Sequence, residues 1–388
     1  MDYDLEIFLF IDAMGWEIVQ RTEFLKDLLP HRRRIEMQFG YSSAAIPTIL
    51  SGTTPAVHGH LGLFRFAAQE SQFRRLASLA RMLRPASFWN RGRIRHWLSK
   101  LVARSCGITG YFELYQVPFE RLPMMEYCET RDLFVQGGMG EVANLADFLA
   151  PLGVNWHISN WRLGDRRNFL AAREAIRQGA QFLFVYTAEL DSLLHRNPQF
   201  PLDQTILQKL EWYRLQILQT LDACKTAHRR VRLTVVSDHG MSPLRQTVDL
   251  KSAVEATGLV FGKDYGVCYD STMCRVTFLA PGAEDVIRQA LQPFAAFGHW
   301  LSREEEEKYG IYRADRYFGD AIFLLNPGVQ IAPSDMGAGA LPGMHGYAPE
   351  DRDSYACALS NAELPGWLCH VSDYFALMRE RAAGLKAN

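Results

Sequence analysis

The sequence predicts an α/β protein built on a three-layer, doubly wound and mostly parallel sheet, and three observations predict it. Apolar runs at residues 5–11, 182–186 and 231–236 are rich in β-branched and aromatic side chains, the composition of strands covered on both faces. Between the last two, residues 203–227 carry Ile206, Leu207, Leu210, Tyr213, Ile217, Leu218 and Leu221 at three- and four-residue spacing, which makes one amphipathic helix. Strand, helix, strand with right-handed crossovers gives the doubly wound arrangement. The polar residues that follow each run are acids and histidines, at the carboxyl ends of the strands, where such sheets bind ligands.

The first run, Leu5-Glu-Ile-Phe-Leu-Phe-Ile11, lies almost at the start of the sequence. It is too short to span a membrane and has neither a basic leader nor a small-residue cleavage site. The seven cysteines, Cys106, Cys128, Cys224, Cys268, Cys274, Cys357 and Cys369, form no Cys-x-x-Cys pair; their scatter and odd number suit free thiols in a reducing compartment. The expectation is a cytoplasmic protein without a transmembrane segment. A formal net charge of −1 leaves no global field to gather nucleic acid, so no nucleic-acid partner is expected.

Two stretches interrupt the strand and helix alternation. Residues 74–104 hold nine Lys and Arg and no acid, interleaved with Phe88, Trp89 and Trp97. They point to an inserted cap, 65–135, over the active-site end; its cations are either a solvated face or a lid that selects a phosphate-rich or lipid-like substrate. In 251–332, a strand-like 271–279 and a helical 284–291 suggest a smaller α+β subdomain. The remainder, 1–64, 136–250 and 333–388, is the expected core.

The chemistry concentrates in a few positions. Asp12 follows the first run, and Asp191-Ser-Leu-Leu-His195 sets a carboxylate and an imidazole four apart after the second, on one face if the turn is helical. Asp238-His239 follows the third run ahead of Gly240; neighbours on an extended chain point apart, so this pair needs a turn to share one ion. His345 sits between glycines in Leu341-Pro-Gly-Met-His-Gly-Tyr347. Each residue alone fits a helix cap or a surface contact, but three carboxylates and three imidazoles together are the ligands that Zn²⁺ or Mn²⁺ accepts.

These motifs, in this order, resemble the alkaline phosphatase superfamily. The resemblance rests on Phe10-Ile-Asp-Ala-Met-Gly15, Ser42 leading to Thr48-Ile-Leu-Ser-Gly52, Pro55-Ala-Val-His-Gly59, Asp191-x-x-x-His195, Ser237-Asp-His-Gly240 and Met344-His-Gly346. The most similar branch is the nucleotide pyrophosphatase/phosphodiesterases. It implies two divalent metal ions, Zn²⁺ first and Mn²⁺ second, one held by Asp191, His195 and His345 and the other by Asp12, Asp238, His239 and the nucleophile oxygen. The branch also places its nucleophile ten residues before the glycine of a Thr-Gly pair, a position that Ser42 occupies relative to Gly52. Against that, Ser43-Ala44-Ala45 is similar to the Ser-Ala-Ala of classical alkaline phosphatases, so both serines stay open, the second as a substrate contact.

This sequence departs from the branch in two places: it has Ser where Thr is usual, and Leu63 where an Asn contacts a phosphoryl oxygen. Arg65, two residues on, is the expected substitute, because a guanidinium pairs well with phosphate oxygens. The reading is therefore a two-metal hydrolase that cleaves a phosphodiester or pyrophosphate through a covalent phosphoryl-Ser42. Its substrate is a small phosphate ester or pyrophosphate, nucleotide-linked or lipid-like. A phosphomonoesterase or phosphotransferase of the same superfamily is the alternative within enzymes, and a non-catalytic protein with the same fold the alternative outside them.

Overall fold

The computed structural model describes residues 3–67, 71–78, 89, 91–227 and 229–385. Ten of its strands form two sheets: β1 Leu5–Ile11, β2 His31–Ile35, β3 Trp156–Ile158, β4 Phe182–Thr187, β5 Val231–Val236, β6 Tyr265–Tyr269, β7 Met273–Phe278, β8 Gly298–Trp300, β9 Ala321–Leu325 and β10 Ala356–Ser360. The larger sheet runs β2-β10-β5-β1-β4-β3. β1 pairs in parallel with β4 and β5, and β3 with β4, while β10 lies antiparallel between β5 and β2. The three apolar runs thus lie side by side at the centre, with β1 between the other two.

Strand alternation explains the three layers. Leu5, Ile7, Leu9 and Ile11 of β1 face one hydrophobic cluster, with α1 (Trp16–Thr22), α4 (Asp165–Arg177) and α6 (Gln204–Thr226) packed on it. Phe8 and Phe10 face the other, with α2 (Ser42–Ser51) and α7 (Asp373–Ala383). Both phenylalanines are fully buried, which contributes roughly 2 kcal/mol each by area removed from water. The helix expected at 203–227 is α6, whose first turn is capped by Asp203 accepting from the Ile206 amide at 2.9 Å. Its buried stripe is narrower than expected: Ile206, Leu210, Tyr213, Ile217, Thr220 and Cys224 face inward, whereas Leu207 and Leu218 stay 40% and 38% exposed. Successive members of the inward set are three or four residues apart, and residues 207 and 218 fall about 100° off that line.

The smaller sheet, β6-β7-β9-β8, is antiparallel throughout. Helix Ala283–Leu291 covers it through Ile287 and Leu291. Between β2 and β3 in sequence, α3 (Gly92–Cys106) and the ribbon Phe64–Phe66 with Met125–Tyr127 enclose a separate cluster of Phe64, Phe73, Leu98, Val102, Phe119 and Tyr127. Arg81, Arg84 and Phe88 of the basic stretch lie outside the described residues.

Candidate active site

Every metal-ligand candidate stands at the carboxyl edge of the large sheet. Asp12 follows β1 directly, its amide donating to Thr187 O at 3.0 Å. α5 (Glu189–Leu194) starts two residues after β4 and carries Asp191, with His195 at its C-cap. The four-residue spacing does put both on one face: His195 Nε2 lies 3.4 Å from Asp191 Oδ1. His195 Nδ1 bonds to Gly343 O at 2.8 Å, which fixes the ring and leaves Nε2 as the nitrogen available to a ligand. After β5 the chain bends, and the bend supplies the turn that Asp238 and His239 need. Asp238 Oδ1 accepts the amides of Ala13 and His239 at 3.1 and 3.0 Å, while Oδ2 lies 3.1 Å from His239 Nε2. His345 arrives on Gly343–Met344, paired with Ser242–Pro243, and its ring stacks on that of His239 with centroids 3.7 Å apart.

Two glycines let these loops close up. A Cβ at Gly15 would stand 2.7 Å from Gly240 Cα, and one at Gly240 would collide with Asp353 O. Backbone therefore rests on backbone between the Asp12 loop and the Asp238-His239 loop.

Six side chains remote in sequence are thereby gathered. The donor atoms of Asp191, His195 and His345 lie within 4.8 Å of one another, as do those of Asp12, Asp191 and His239. The first set is the one the resemblance implies. The second differs from it by having Asp191 where Asp238 was expected, and Asp191 sits between the two groups.

Three carboxylate oxygens here, Asp12 Oδ1, Asp191 Oδ1 and Asp238 Oδ2, are buried without a hydrogen-bond partner. Such atoms cost free energy unless something positive meets them. The electrostatics agree: burial, then the nearby Asp238 and Asp191 carboxylates, hold the Asp12 carboxyl well above its usual range, and burial also raises Asp191. Burial and the rings of His239 and His195 keep His345 neutral, far below the usual imidazole value. Burial acts against a charged His239, yet the touching Asp238 carboxylate overcomes it and raises that ring. A set of hard carboxylate oxygens and imidazole nitrogens, with the carboxylates crowded together, fits divalent cations.

The two serines are the first two residues of α2, and their hydroxyls make different contacts. Ser42 Oγ lies 3.0 Å from His239 Nε2, whereas Ser43 Oγ donates to Leu61 O at 3.2 Å. Both sit at the start of the helix, where the first amides precede any intrahelical acceptor and favour a phosphoryl charge, while those of Ala44 and Ala45 bond to Tyr41 O.

A cavity of about 490 Å³ opens above these groups, lined by Asp12, Ser42, Ser43, Leu63, Asp191, His195 and His345 together with an aromatic wall of Tyr111, Tyr115, Phe134, Trp161 and Tyr186. Glu129 and Asp270 add carboxylates to it. Two expectations are corrected. Arg65 is not among the lining residues: its guanidinium pairs with Glu126 across the ribbon and stacks on the Tyr317 ring at 3.8 Å. Leu63, at the position of the branch's Asn, does line the cavity, as apolar wall. The described cations of the cap do not form the lid interior either: none of them lines the cavity. Arg95 is buried in the cap, bonded to the carbonyls of Val117 and Leu114 at 2.5 and 3.3 Å.

The aromatic wall and Glu129 escaped the sequence reading. Tyr186 carried a signal, standing at the carboxyl end of a strand as Asp12 does; the others lie in loops whose course no periodicity reveals.

A family model described as type I phosphodiesterase / nucleotide pyrophosphatase matches residues 7–348. The chain belongs to that family. Solved structures agree on the fold of this phosphodiesterase-family chain. A murine ectonucleotide pyrophosphatase/phosphodiesterase 5, an inactive variant in complex with AMP, is 13% identical over 100% of this chain and 96% of its own, with a TM-score of 0.66. The human counterpart is 11% identical over 99% and 96%, also at 0.66. No curated protein sequence matches the chain.

Proposed function

We propose that this chain hydrolyses phosphodiester bonds, using two divalent cations, Zn²⁺ or Mn²⁺, and Ser42 as nucleophile. The observation that carries the reading is the convergence of three unpartnered buried carboxylate oxygens with three imidazoles beside one serine hydroxyl. Asp191, His195 and His345 would hold one ion and Asp12, Asp238 and His239 the other, with Asp191 near enough to serve both. When bound, the two ions supply Lewis acidity, lowering the pKa of the serine hydroxyl and neutralising the leaving oxygen.

The residues of the chain supply the rest. Ser42 Oγ attacks phosphorus, the bond to the leaving alcohol breaks, and water then cleaves the phosphoryl-serine. The N-terminal turn of α2 would offer the Ser42 and Ser43 amides to the developing phosphoryl charge, those of Ala44 and Ala45 being taken by Tyr41 O. The aromatic wall excludes water and offers flat faces to the substituent of the ester. A nucleotide-linked substituent fits such faces, and one solved neighbour is described with AMP.

The cavity favours a diester over a monoester. A monoester brings a second negative charge, and among the described residues no Lys or Arg lines the cavity to meet it. We expect bis(p-nitrophenyl) phosphate to turn over at least tenfold faster by kcat/KM than p-nitrophenyl phosphate. Chelation should remove the activity, and added Zn²⁺ or Mn²⁺ should restore it. A preference for the monoester, or full activity in metal-free enzyme, would refute the proposal.

A further inference from the structure

We infer that the outer face of α3 is a docking surface for an anionic lipid membrane. The helix spans Gly92–Cys106 and turns Leu98, Ser99 and Val102 into the cap's own cluster. On its other side, Arg93, Trp97, Lys100, Leu101 and Arg104 are spaced by four, three, one and three residues, which puts them on a single helical stripe. All five are exposed. Trp97 and Leu101, one turn apart, are 58% and 45% exposed.

The charges on this stripe are uncommitted. None of Arg93, Lys100 and Arg104 has a carboxylate partner among the described residues, whereas exposed Arg21, Arg177 and Arg303 are each paired within their own helix. The sequence contains no acid between Glu70 and Glu113, and Glu113, which does reach the helix, bonds His96 and Ser99 rather than the stripe. The adjacent turn Arg74–Leu76 adds exposed Arg74 and Arg75. For a protein of net charge −1, this is a strongly polarised surface.

The chemistry of the stripe selects among occupants. A second copy meeting it symmetrically would set cations against cations. A nucleic-acid backbone would satisfy the cations but leave Leu101 against phosphate. An anionic bilayer accommodates both: lipid head groups meet the arginines and the lysine, and the indole and isobutyl groups enter the boundary with the acyl chains. Because the same cap lends Tyr111 and Tyr115 to the cavity wall, docking there would hold the catalytic cavity at a membrane surface. The inference rests on the helix alone and stands or falls separately from the hydrolase reading.

The test is co-sedimentation of the whole protein with vesicles of pure phosphatidylcholine and of phosphatidylcholine containing about a third phosphatidylserine. The anionic vesicles should bind the protein and the neutral ones should not, with binding lost at high salt. Trp97→Ala should weaken partitioning severalfold, and the triple variant Arg93→Gln, Lys100→Gln, Arg104→Gln by on the order of a hundredfold. The replaced side chains are solvent-exposed, so thermal melting and soluble-substrate turnover should stay at wild-type values in both variants. Equal binding to neutral vesicles, no binding to anionic ones, or binding that ignores Trp97 while duplex DNA competes fully would each overturn the inference. So would a concentration-dependent dimer that disappears in Trp97→Ala.

Discussion

The floor of the cavity and the cap above it use the same kinds of side chain in opposite ways. On the floor, Asp12, Asp191 and Asp238 are buried with oxygens left over, and three imidazoles crowd against them. In the cap, buried charges are consumed locally: Arg65 pairs with Glu126, Arg95 with two carbonyls, and Glu129 accepts the Tyr111 amide at 3.0 Å. Burial of an ionisable group is thus no sign of function by itself. What separates the two regions is convergence: on the floor carboxylates and imidazoles from several loops face one another, whereas in the cap each charged group faces a partner of its own.

The sharpest way to break this comparison is at the serines. Ser42→Ala should lower kcat for a diester by at least about 10³-fold, whereas Ser43→Ala, whose hydroxyl donates to Leu61 O, should stay within about threefold. Steady-state kinetics on both variants decide it; equal losses would dissolve the distinction drawn from their hydroxyl contacts.

Glu129 probes the wall by pH. Burial pushes its carboxyl up to about 8 from an ordinary 4.5, with Asp132 adding to the rise and the Tyr111 amide and Arg162 opposing it. The folded state therefore holds this proton more tightly than the unfolded chain. Its stabilisation is complete below pH 4.5 and is lost as pH rises to about 8. Melting curves of wild type and Glu129→Gln across that window should diverge, the wild type losing on the order of a few kcal/mol more. Parallel curves would show that Glu129 is already neutralised or solvated.

The smallest effect belongs to Arg65. Arg65→Ala strands Glu126 and uncovers Tyr317, which should cost about 2 kcal/mol of stability, discounted from a fully buried pair because Glu126 is partly exposed. Turnover should change less than twofold. A large fall in kcat with unchanged melting would return Arg65 to the substrate.

The same contrast explains what was legible in the sequence. The central strands, α6, the small subdomain's strand at 273–278 and its helix at 283–291 all follow from hydrophobic period and composition, because burial imposes a pattern on each. The six ligand candidates were legible because each follows a strand or sits in a glycine-bounded loop, where side chains rarely serve packing. Arg65 was misread because a guanidinium suits a carboxylate as well as a phosphate, and its cross-strand partner Glu126 lies some sixty positions away. Tyr111, Tyr115, Glu129 and Trp161 reach the cavity through tertiary folding of the cap, which leaves no periodic trace.

The contact of Gly15 with Gly240 has a mechanical consequence. Side chains can change rotamer to accommodate a new ligand, but two peptide backbones pressed together have no such freedom. The gap between the Asp12 loop and the Asp238-His239 loop is therefore gauged by main-chain thickness. Gly343 repeats the arrangement on the other side, where a Cβ would stand 2.5 Å from Leu194 O, so the spacing of His195 and His345 is set by main chain as well.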